Sequence, residues 1–353
     1  MITERKPQEV LKEHLGTMHK LNFESLFRNK EIPFIIAEVG SNWYTLDDCR
    51  KSIQLAKACK ADAVKFQLFS HEELYGFPGE TMQGTLTREW VPILAEKARA
   101  SGIEFMCSAF SVEGYEYINE YVNIHKIASS ELSNWPILQY LATTGKPILL
   151  STGGGWGAID LERALLHLSN SDNLDFPSLS SKVILMHCVS SYPASGAALF
   201  RINALGEQFP SLLVGYSDHT LDCFDIPKIA MQLGARVIEK HVNFVDAENT
   251  SDALHSISLQ SFKDMVEYLG ADFIPSSYWC RREQMPMMLQ HNRRLIAVRP
   301  IKTGEGMQLG VNVGFFRSKV RDTSGASCFR VGADDISYAT KSYNIGDGVD
   351  WCT

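Results

Sequence analysis

The sequence lacks the features that mark several large classes of protein. No tract of clustered lysine and arginine stands out, and the formal net charge is −7, so we expect neither a nucleic-acid partner nor an anionic membrane partner. No apolar run approaches the roughly 18 residues that a membrane helix needs. The charged N-terminal stretch 1–16 also lacks the apolar core of a signal peptide. We therefore expect a cytoplasmic protein.

Paired cysteine motifs are also missing. Eight cysteines are scattered along the chain, with no CxxC spacing among them. Cys107 and Cys188 fall inside apolar runs, where a cysteine behaves as a small hydrophobic residue. This usage indicates reduced structural thiols rather than a disulfide framework or a thiolate metal site.

Eight apolar runs, each followed by a helix-like stretch, dominate the first three quarters of the chain. Nearly continuous hydrophobic runs are typical of parallel strands that are buried on both faces. The pattern predicts an α/β fold, a closed (β/α)8 TIM barrel, whose active site lies at the carboxyl ends of the strands. The runs are 33–40, 63–69, 104–110, 124–131, 147–153, 182–191, 212–219 and 236–244.

The residue composition and the pattern of apolar runs divide the chain into four parts. Residues 1–31 are polar and predict an N-terminal extension with one helix near 8–19, and the barrel is expected to span 32–270. Residues 271–291 break the strand–helix rhythm and are interpreted as a linker. Short β-type runs with turns then predict a small, mostly β domain over 292–353, which is marginal in size as an independent unit.

Two histidines at the ends of consecutive runs are the sharpest candidates for a metal site. His219 and His241 would stand side by side in a barrel, and neutral imidazoles commonly bind transition metals. Two protein ligands leave coordination positions open for a substrate. Strand alternation allows only some of Glu239, Lys240 and His241 to face the barrel axis, and we predict that His241 does. The alternative is that each histidine is structural or faces solvent.

Two lysines lie within apolar runs, where an unpaired ammonium would be costly. Lys65 and Lys126 could form structural pairs with Glu38 or Glu131, or they could bind an anion. Hydroxyl groups on the neighbouring strand ends and the backbone of 151–155 favour the anion site. These hydroxyl groups belong to Ser129, Ser151, Ser190 and Ser217.

Three carboxylates are candidates for acid–base chemistry. Glu38 and Glu131 end predicted strands, and Asp252 follows the eighth run in a polar loop. Burial would raise the pKa of such a group into the range useful for proton transfer. Asp252 could equally be a solvated loop residue.

Seven motifs in order resemble those of the sialic acid synthase family, which includes N-acetylneuraminate, pseudaminic acid and legionaminic acid synthases. The motifs are FIIAEVGSNW, AVKFQ, HKIASSE, ILLSTG, CVSSYP, GYSDHT and ARVIEKH. The later run NRRLIAVRPIKTGEGMQLGVNV is similar to the antifreeze-like (SAF) domain of that family. The resemblance covers about residues 33–320.

The resemblance implies an enzyme, a transferase that condenses phosphoenolpyruvate with an open-chain N-acetylated amino sugar and releases phosphate by C–O cleavage. It implies a divalent metal, Mn²⁺ or alternatively Mg²⁺ or Co²⁺, on His219 and His241, and a homodimer in which the SAF domain of one subunit caps the barrel of the other. The positions matching phosphoenolpyruvate ligands are Lys65, Lys126, Ser129, Ser151, Ser190 and Ser217. The positions matching sugar-facing or acid–base groups are Glu38, Gln67, Glu131, Tyr192 and Asp252, with Arg317 as the SAF arginine.

The chain departs from the family pattern at three positions, and two other functions compete with the synthase. Trp43 replaces a usual histidine and is expected to reshape the sugar pocket, Ser190 replaces an asparagine of many N-acetylneuraminate synthases, and the sequence around Arg317 differs. One rival is a Schiff-base aldolase with Lys65 or Lys126 as nucleophile. The other is an inactive sugar-binding homologue.

Overall fold

Eight parallel strands form the first and larger part of the fold. The computed structural model describes residues 22–80, 82–169, 171, 173–271, 293–317 and 336–351, with only the backbone of Arg294 and Arg317. Each strand lies inside one of the predicted apolar runs. The strands are β1 (Phe34–Glu38), β2 (Ala63–Gln67), β3 (Glu104–Ser108), β4 (His125–Ile127), β5 (Ile148–Ser151), β6 (Val183–Cys188), β7 (Leu213–Asp218) and β8 (Val237–Asn243).

The strand order makes this sheet a nearly closed TIM-type barrel. Hydrogen-bonded neighbours run β3-β2-β1-β8-β7-β6-β5-β4, so the last strand returns to the first. The register places Glu38 beside both Lys65 and His241 at the carboxyl ends. Within the described ranges no ladder joins β3 to β4, and we call this junction the β3–β4 seam. The predicted barrel is confirmed.

Helices surround the barrel and cover its outer face. The first begins at a capping box, in which the Asp48 amide donates to Thr45 Oγ1 and the Thr45 amide donates to Asp48 Oδ2. The helices are α1 (Leu46–Ala58), α2 (His71–Tyr75), α3 (Trp90–Ser101), α4 (Val112–Ile118), α5 (Trp135–Thr143), α6 (Ala158–Ser169), α7 (Phe176–Ser180), α8 (Phe200–Gln208), α9 (Asp225–Gln232) and α10 (Leu259–Leu269), with a short strand β9 (Ile257–Ser258) between β8 and α10.

A turn before β1 closes the floor of the barrel, at the end opposite the strand carboxyl termini. Phe23 and Phe27 are buried, and their ring centroids lie 5.2 Å apart. Phe27 in turn packs on Phe34 of β1, with 5.1 Å between ring centroids. Arg236 fixes the turn by donating to the Phe27 carbonyl at 3.1 Å. The last residues of the predicted extension therefore belong to the barrel core, while the helix predicted near 8–19 lies outside the described residues.

A small β domain follows the barrel and has its own apolar core. Its strands are β10 (Arg293–Ala297), β11 (Gly306–Gln308), β12 (Val313–Arg317) and β13 (Ile336–Tyr338), and they pair as antiparallel β10–β12 and β11–β13. Leu295, Met307 and Trp351 are buried in this core. The predicted linker lies almost entirely outside the described residues.

Neither a disulfide nor a membrane-spanning helix is found in the part of the chain that the structure describes. Cys49, Cys59, Cys107 and Cys188 are buried as free thiols, and Cys223 is half-buried and also free. Among the described helices none is long and apolar enough to span a membrane. The prediction of unpaired structural thiols is confirmed for these five.

Candidate active site

Two lysines and two glutamates form the base of a cavity at the carboxyl ends of the strands. Lys65 Nζ lies 2.8 Å from Glu38 Oε2 and 3.7 Å from Glu239 Oε2. Lys126 Nζ lies 3.3 Å from Glu239 Oε1, which also accepts a hydrogen bond from Ser217 Oγ at 2.9 Å. Because all four charged side chains are almost fully buried, each ammonium needs these partners.

The surroundings separate the two glutamates into different charge states. Burial raises the pKa of Glu38 to about 7, against the opposing effect of Lys65 and of a hydrogen bond from Gln67. Burial acts in the same direction on Glu239, but Lys126 and Lys65 outweigh it and lower its pKa to about 2. For Lys65, burial would lower the pKa, but Glu239 and Glu38 raise it overall. At neutral pH Lys65 and Glu239 are therefore charged, while Glu38 titrates.

Serine hydroxyl groups surround the lysines and leave room for an anion. The Gly153 amide donates to Ser129 Oγ at 3.1 Å. Ser190 Oγ is buried and has no hydrogen-bond partner among the described residues. A Cβ on Gly153 would lie 2.5 Å from Ser190 Oγ and from Cys188 Sγ. The absence of a side chain at Gly153 therefore keeps this pocket of donors open.

Three histidines line the opposite side of the cavity. The ring of His241 lies 5.6 Å from that of His219 and 4.6 Å from that of His255. Burial lowers the pKa of His219 to about 3 and lowers those of His241 and His255 as well. His219 Nδ1 donates to the Val189 carbonyl at 2.6 Å, which leaves the Nε2 lone pair directed away from the backbone. All three rings are neutral at pH 7 and can act as ligands.

Asp252 stands between two of the histidines. Its Oδ2 lies 3.7 Å from His241 Nδ1, and its Oδ1 lies 3.6 Å from His255 Nε2. The Ser41 amide donates to Oδ2 at 2.9 Å and fixes the carboxylate. This contact holds Asp252 in the site, so Asp252 is not a freely solvated loop residue.

Tyr192 covers the histidines from the solvent side. Its ring stacks on His219 with centroids 4.2 Å apart and meets the edge of His255 at 4.9 Å. The ring is 43% exposed, so it forms a wall between the histidines and solvent.

Most of the predicted site residues converge on this one cavity, whose volume is about 420 Å³. They come from seven different strand ends and from the loop after β8. The predicted residues that line it are Glu38, Lys65, Gln67, Lys126, Ser129, Ser151, Ser190, Tyr192, Ser217, His219, His241 and Asp252.

One predicted site residue, Glu131, lies outside the lining of this cavity. Glu131 is fully buried and forms an ion pair with Arg293 of β10, so the lining described for the cavity does not contain it. The side chain of Arg317 lies outside the described residues. Trp43 packs on Trp90 in the helix layer, 5.4 Å between ring centroids, and is not among the residues that line the cavity.

Three residues with clear contacts in or near the site were not predicted from the sequence. Glu239 faces inward with His241, because the two are separated by one residue on a strand, while Lys240 points outward and pairs with Asp218 at 2.7 Å. His255 follows Asp252 by three residues in a 3₁₀ turn, which brings both to one side. Side chains alternate between inward and outward positions along VIEKH, and this alternation could have indicated Glu239. No pattern in the sequence indicated His255 or Arg293.

A family model and two curated relatives match large parts of this chain. The model is that of the NeuB family, and it matches residues 52–271. An N,N'-diacetyllegionaminic acid synthase of Legionella pneumophila is 32% identical over 275 residues, which cover 72% of this chain and 76% of that protein. The uncharacterized protein MJ1065 of Methanocaldococcus jannaschii is 32% identical over 85% of this chain and 89% of its own length.

A solved structure shares the two-part architecture. The spore coat polysaccharide biosynthesis protein SpsE of Bacillus subtilis superposes with a TM-score of 0.76 at 23% identity. The match covers 92% of this chain and 96% of that chain. At this identity it supports the fold, including a small domain after the barrel.

Proposed function

The chain belongs to the NeuB family, and we propose that it condenses phosphoenolpyruvate with an open-chain N-acetylated amino sugar. The products are a sialic-acid-like nonulosonic acid and inorganic phosphate. The observation that carries this proposal is an anion pocket next to a cluster of neutral metal ligands in one buried cavity. A reaction that joins a phosphorylated carboxylic acid to an aldehyde needs both kinds of group at one place.

The anion pocket is assigned to phosphoenolpyruvate. Lys65 and Lys126 supply two ammonium groups, and Glu239 neutralises only part of that charge. Hydroxyl groups on neighbouring strand ends add neutral donors, which a phosphate accepts readily. These hydroxyl groups belong to Ser129, Ser151, Ser190 and Ser217. An incoming anion also favours the protonated form of Glu38, which removes one competing negative charge.

The donor set beside that pocket fits a divalent transition metal. His219 and His241 offer neutral imidazole nitrogens, and His241 Nδ1 is buried without a hydrogen-bond partner among the residues that the structure describes. A nearby carboxylate, Asp252, suits Mn²⁺, for which Mg²⁺ or Co²⁺ could substitute. When bound there, the metal acts as a Lewis acid on the sugar aldehyde.

The protein residues orient the two substrates and move protons. The lysines and serines hold phosphoenolpyruvate so that its C3 faces the aldehyde carbon, and a new C–C bond forms between them. Water then adds at C2, and phosphate leaves with its bridging oxygen. Glu38 has a pKa of about 7, so we assign it both proton transfers: it gives its proton to the aldehyde oxygen as the C–C bond forms, and it takes one back from the water that adds at C2. Gln67, Tyr192 and Asp252 are assigned to the sugar, with Asp252 at the end of the cavity where the metal would meet the aldehyde.

A homodimer capped by exchanged small domains is part of the proposal. The small domain is marginal in size alone. Within the single chain it packs on its own barrel through Phe315 against Trp135, 6.1 Å between ring centroids, and in an exchanged dimer the same contact would join two subunits. Arg293 adds a buried ion pair to the same contact. Arg317 remains the proposed sugar-contacting residue of this domain.

Phosphate release separates this proposal from its rivals. Purified protein, loaded with Mn²⁺ and given phosphoenolpyruvate with a panel of N-acetylated hexosamines, should release phosphate only with an acceptor, and a chelator should stop it. A Schiff-base aldolase would instead be trapped on a lysine by borohydride. The raised pKa of Lys65 disfavours that chemistry at Lys65, because a protonated amine is not a nucleophile, and the borohydride experiment tests Lys126 as well. Absence of phosphate release across the panel would favour an inactive binding protein.

A further inference from the structure

Three side chains of types that can bind a metal ion lie together at one side of the cavity. One ligand atom each from His241, Asp252 and His255 lie within 4.8 Å of one another. Two imidazoles and one carboxylate are a common ligand set for divalent transition metals. Ligand atoms about 2.1 Å from a metal stand roughly 3 Å apart when their bonds are perpendicular. The observed separations are close enough for one cation to bridge them with small side-chain rotations.

The unsatisfied nitrogen atoms of this group indicate a missing partner. His241 Nδ1 and His255 Nε2 are both buried, and neither has a hydrogen-bond partner within the described ranges. Both residues are 6% exposed. The distances to Asp252, 3.7 and 3.6 Å, are too long for hydrogen bonds and leave space between the three groups. A buried polar atom without a partner is costly, and a bound cation would remove that cost.

The surrounding chain holds the group in place. Gly40 permits the approach of Asp252, since a Cβ there would lie 1.9 Å from Oδ2. Ser256 Oγ donates to the Asp252 carbonyl and accepts from Asn42 Nδ2, which ties the turn of His255 to the loop after β1. A site with its ligands fixed in advance by other contacts is typical of metal binding rather than of a flexible loop.

We propose that His255 and Asp252 are metal ligands, which together with His241 hold the divalent cation on the Asp252 side of the His241 ring. This inference rests on the proposed function and makes its metal site more specific, because it names Asp252 and His255 as ligands beside His241, whereas His219 lies outside the group whose ligand atoms meet within 4.8 Å. The Tyr192 ring packs against both His219 and His255, so it would lie between the bound cation and solvent. With more protein ligands, fewer coordination positions remain for the sugar aldehyde and water.

The test is Mn²⁺ binding to the chelator-treated full-length chain, followed by the electron paramagnetic resonance of free Mn²⁺. We expect His255→Ala to weaken Mn²⁺ binding at least tenfold and to reduce the metal-induced rise in melting temperature. His167→Ala is the control, because His167 lies on α6 away from the cavity and should bind as the wild type does. His255→Asn serves as a second variant, and apo melting curves show whether each variant folds.

Comparing the Mn²⁺ affinity of His255→Ala with that of His219→Ala shows whether the proposal holds. If the proposal is right, His255→Ala loses at least as much affinity as His219→Ala, and nitrogen couplings in the spin-echo spectrum of bound Mn²⁺ decrease in the variant. Wild-type affinity and unchanged couplings in His255→Ala would overturn it. Phosphate release by that variant would then show that the proposed function stands without this ligand. A wild-type protein that binds no Mn²⁺ would overturn both the inference and the metal part of the function.

Discussion

Removing Arg293 should destabilise the barrel at its seam, although the residue belongs to the small domain. Its guanidinium donates to the Phe315 carbonyl at 2.8 Å, to the Glu73 carbonyl at 3.0 Å and to the Phe110 carbonyl, and it pairs with Glu131. Phe110 follows β3 and Glu131 follows β4. One side chain thus bridges the two strands that no ladder joins in the described residues.

The size of the effect follows from burial. Glu131 and Arg293 are 0% and 3% exposed, so Arg293→Met leaves a buried carboxylate that keeps hydrogen bonds from Ser130 and Asn134 but loses its cation. Breaking a buried ion pair by removing one partner costs about 3–5 kcal/mol. Replacing both partners removes the stranded charge, so Glu131→Gln with Arg293→Met should be more stable than Arg293→Met alone.

Denaturant unfolding of the four proteins in this cycle measures the coupling directly. Arg299→Met is the matched control, because Arg299 pairs with Glu305 on the surface of the same domain and its loss should leave the unfolding midpoint nearly unchanged. The reasoning is refuted if Arg293→Met unfolds at the same denaturant concentration as the wild type. It is also refuted if the double variant is no more stable than the single one.

Two further predictions concern the anion pocket and the titrating glutamate. Gly153→Ala should raise the KM for phosphoenolpyruvate at least tenfold, because its Cβ would occupy the space between Ser190 and Cys188. Gly157→Ala is the control and should leave KM unchanged. Equal KM values for the two variants would contradict this prediction. Burial raises the pKa of Glu38 from 4.5 to about 7, so the folded protein retains a proton that the unfolded chain releases, and stability should fall as the pH rises through that window. Glu38→Gln should remove this fall in stability, and it should also remove the change in rate near pH 7. Melting and kinetic measurements between about pH 4 and pH 8, a range that includes both pKa values, check the two effects.

The strands could be predicted from the sequence because burial on both faces leaves a strong apolar signal. Each run extended past the carboxyl end of its strand, by between one and four residues, since the polar residues that follow the strands are mostly still buried. The run 124–131 is the largest case, where the strand ends at Ile127 and a 3₁₀ turn carries Ser129 and Glu131. Local hydrogen bonding decides that boundary, and composition does not reveal it.

Contacts between distant segments were the part that the sequence could not supply. A pair between Lys65 and Glu38 was one alternative that the sequence left open, and the structure contains it. The sequence did not indicate that Glu239, from another strand, bridges both lysines. Glu131 ends a predicted strand and was a reasonable acid–base candidate. Its partner, Arg293, lies more than a hundred residues away in another domain, and only packing brings them together. Such long-range pairs depend on the fold rather than on any local pattern.

The most direct test of the account is the position of bond cleavage in phosphoenolpyruvate. The protein is incubated with Mn²⁺, an accepted N-acetylated sugar and phosphoenolpyruvate that carries heavy oxygen in the bridge between carbon and phosphorus. The account predicts that the heavy isotope is released in inorganic phosphate, because the C–O bond breaks after water adds at C2. Heavy oxygen retained in the keto acid, or sugar extension without phosphate release, would contradict it.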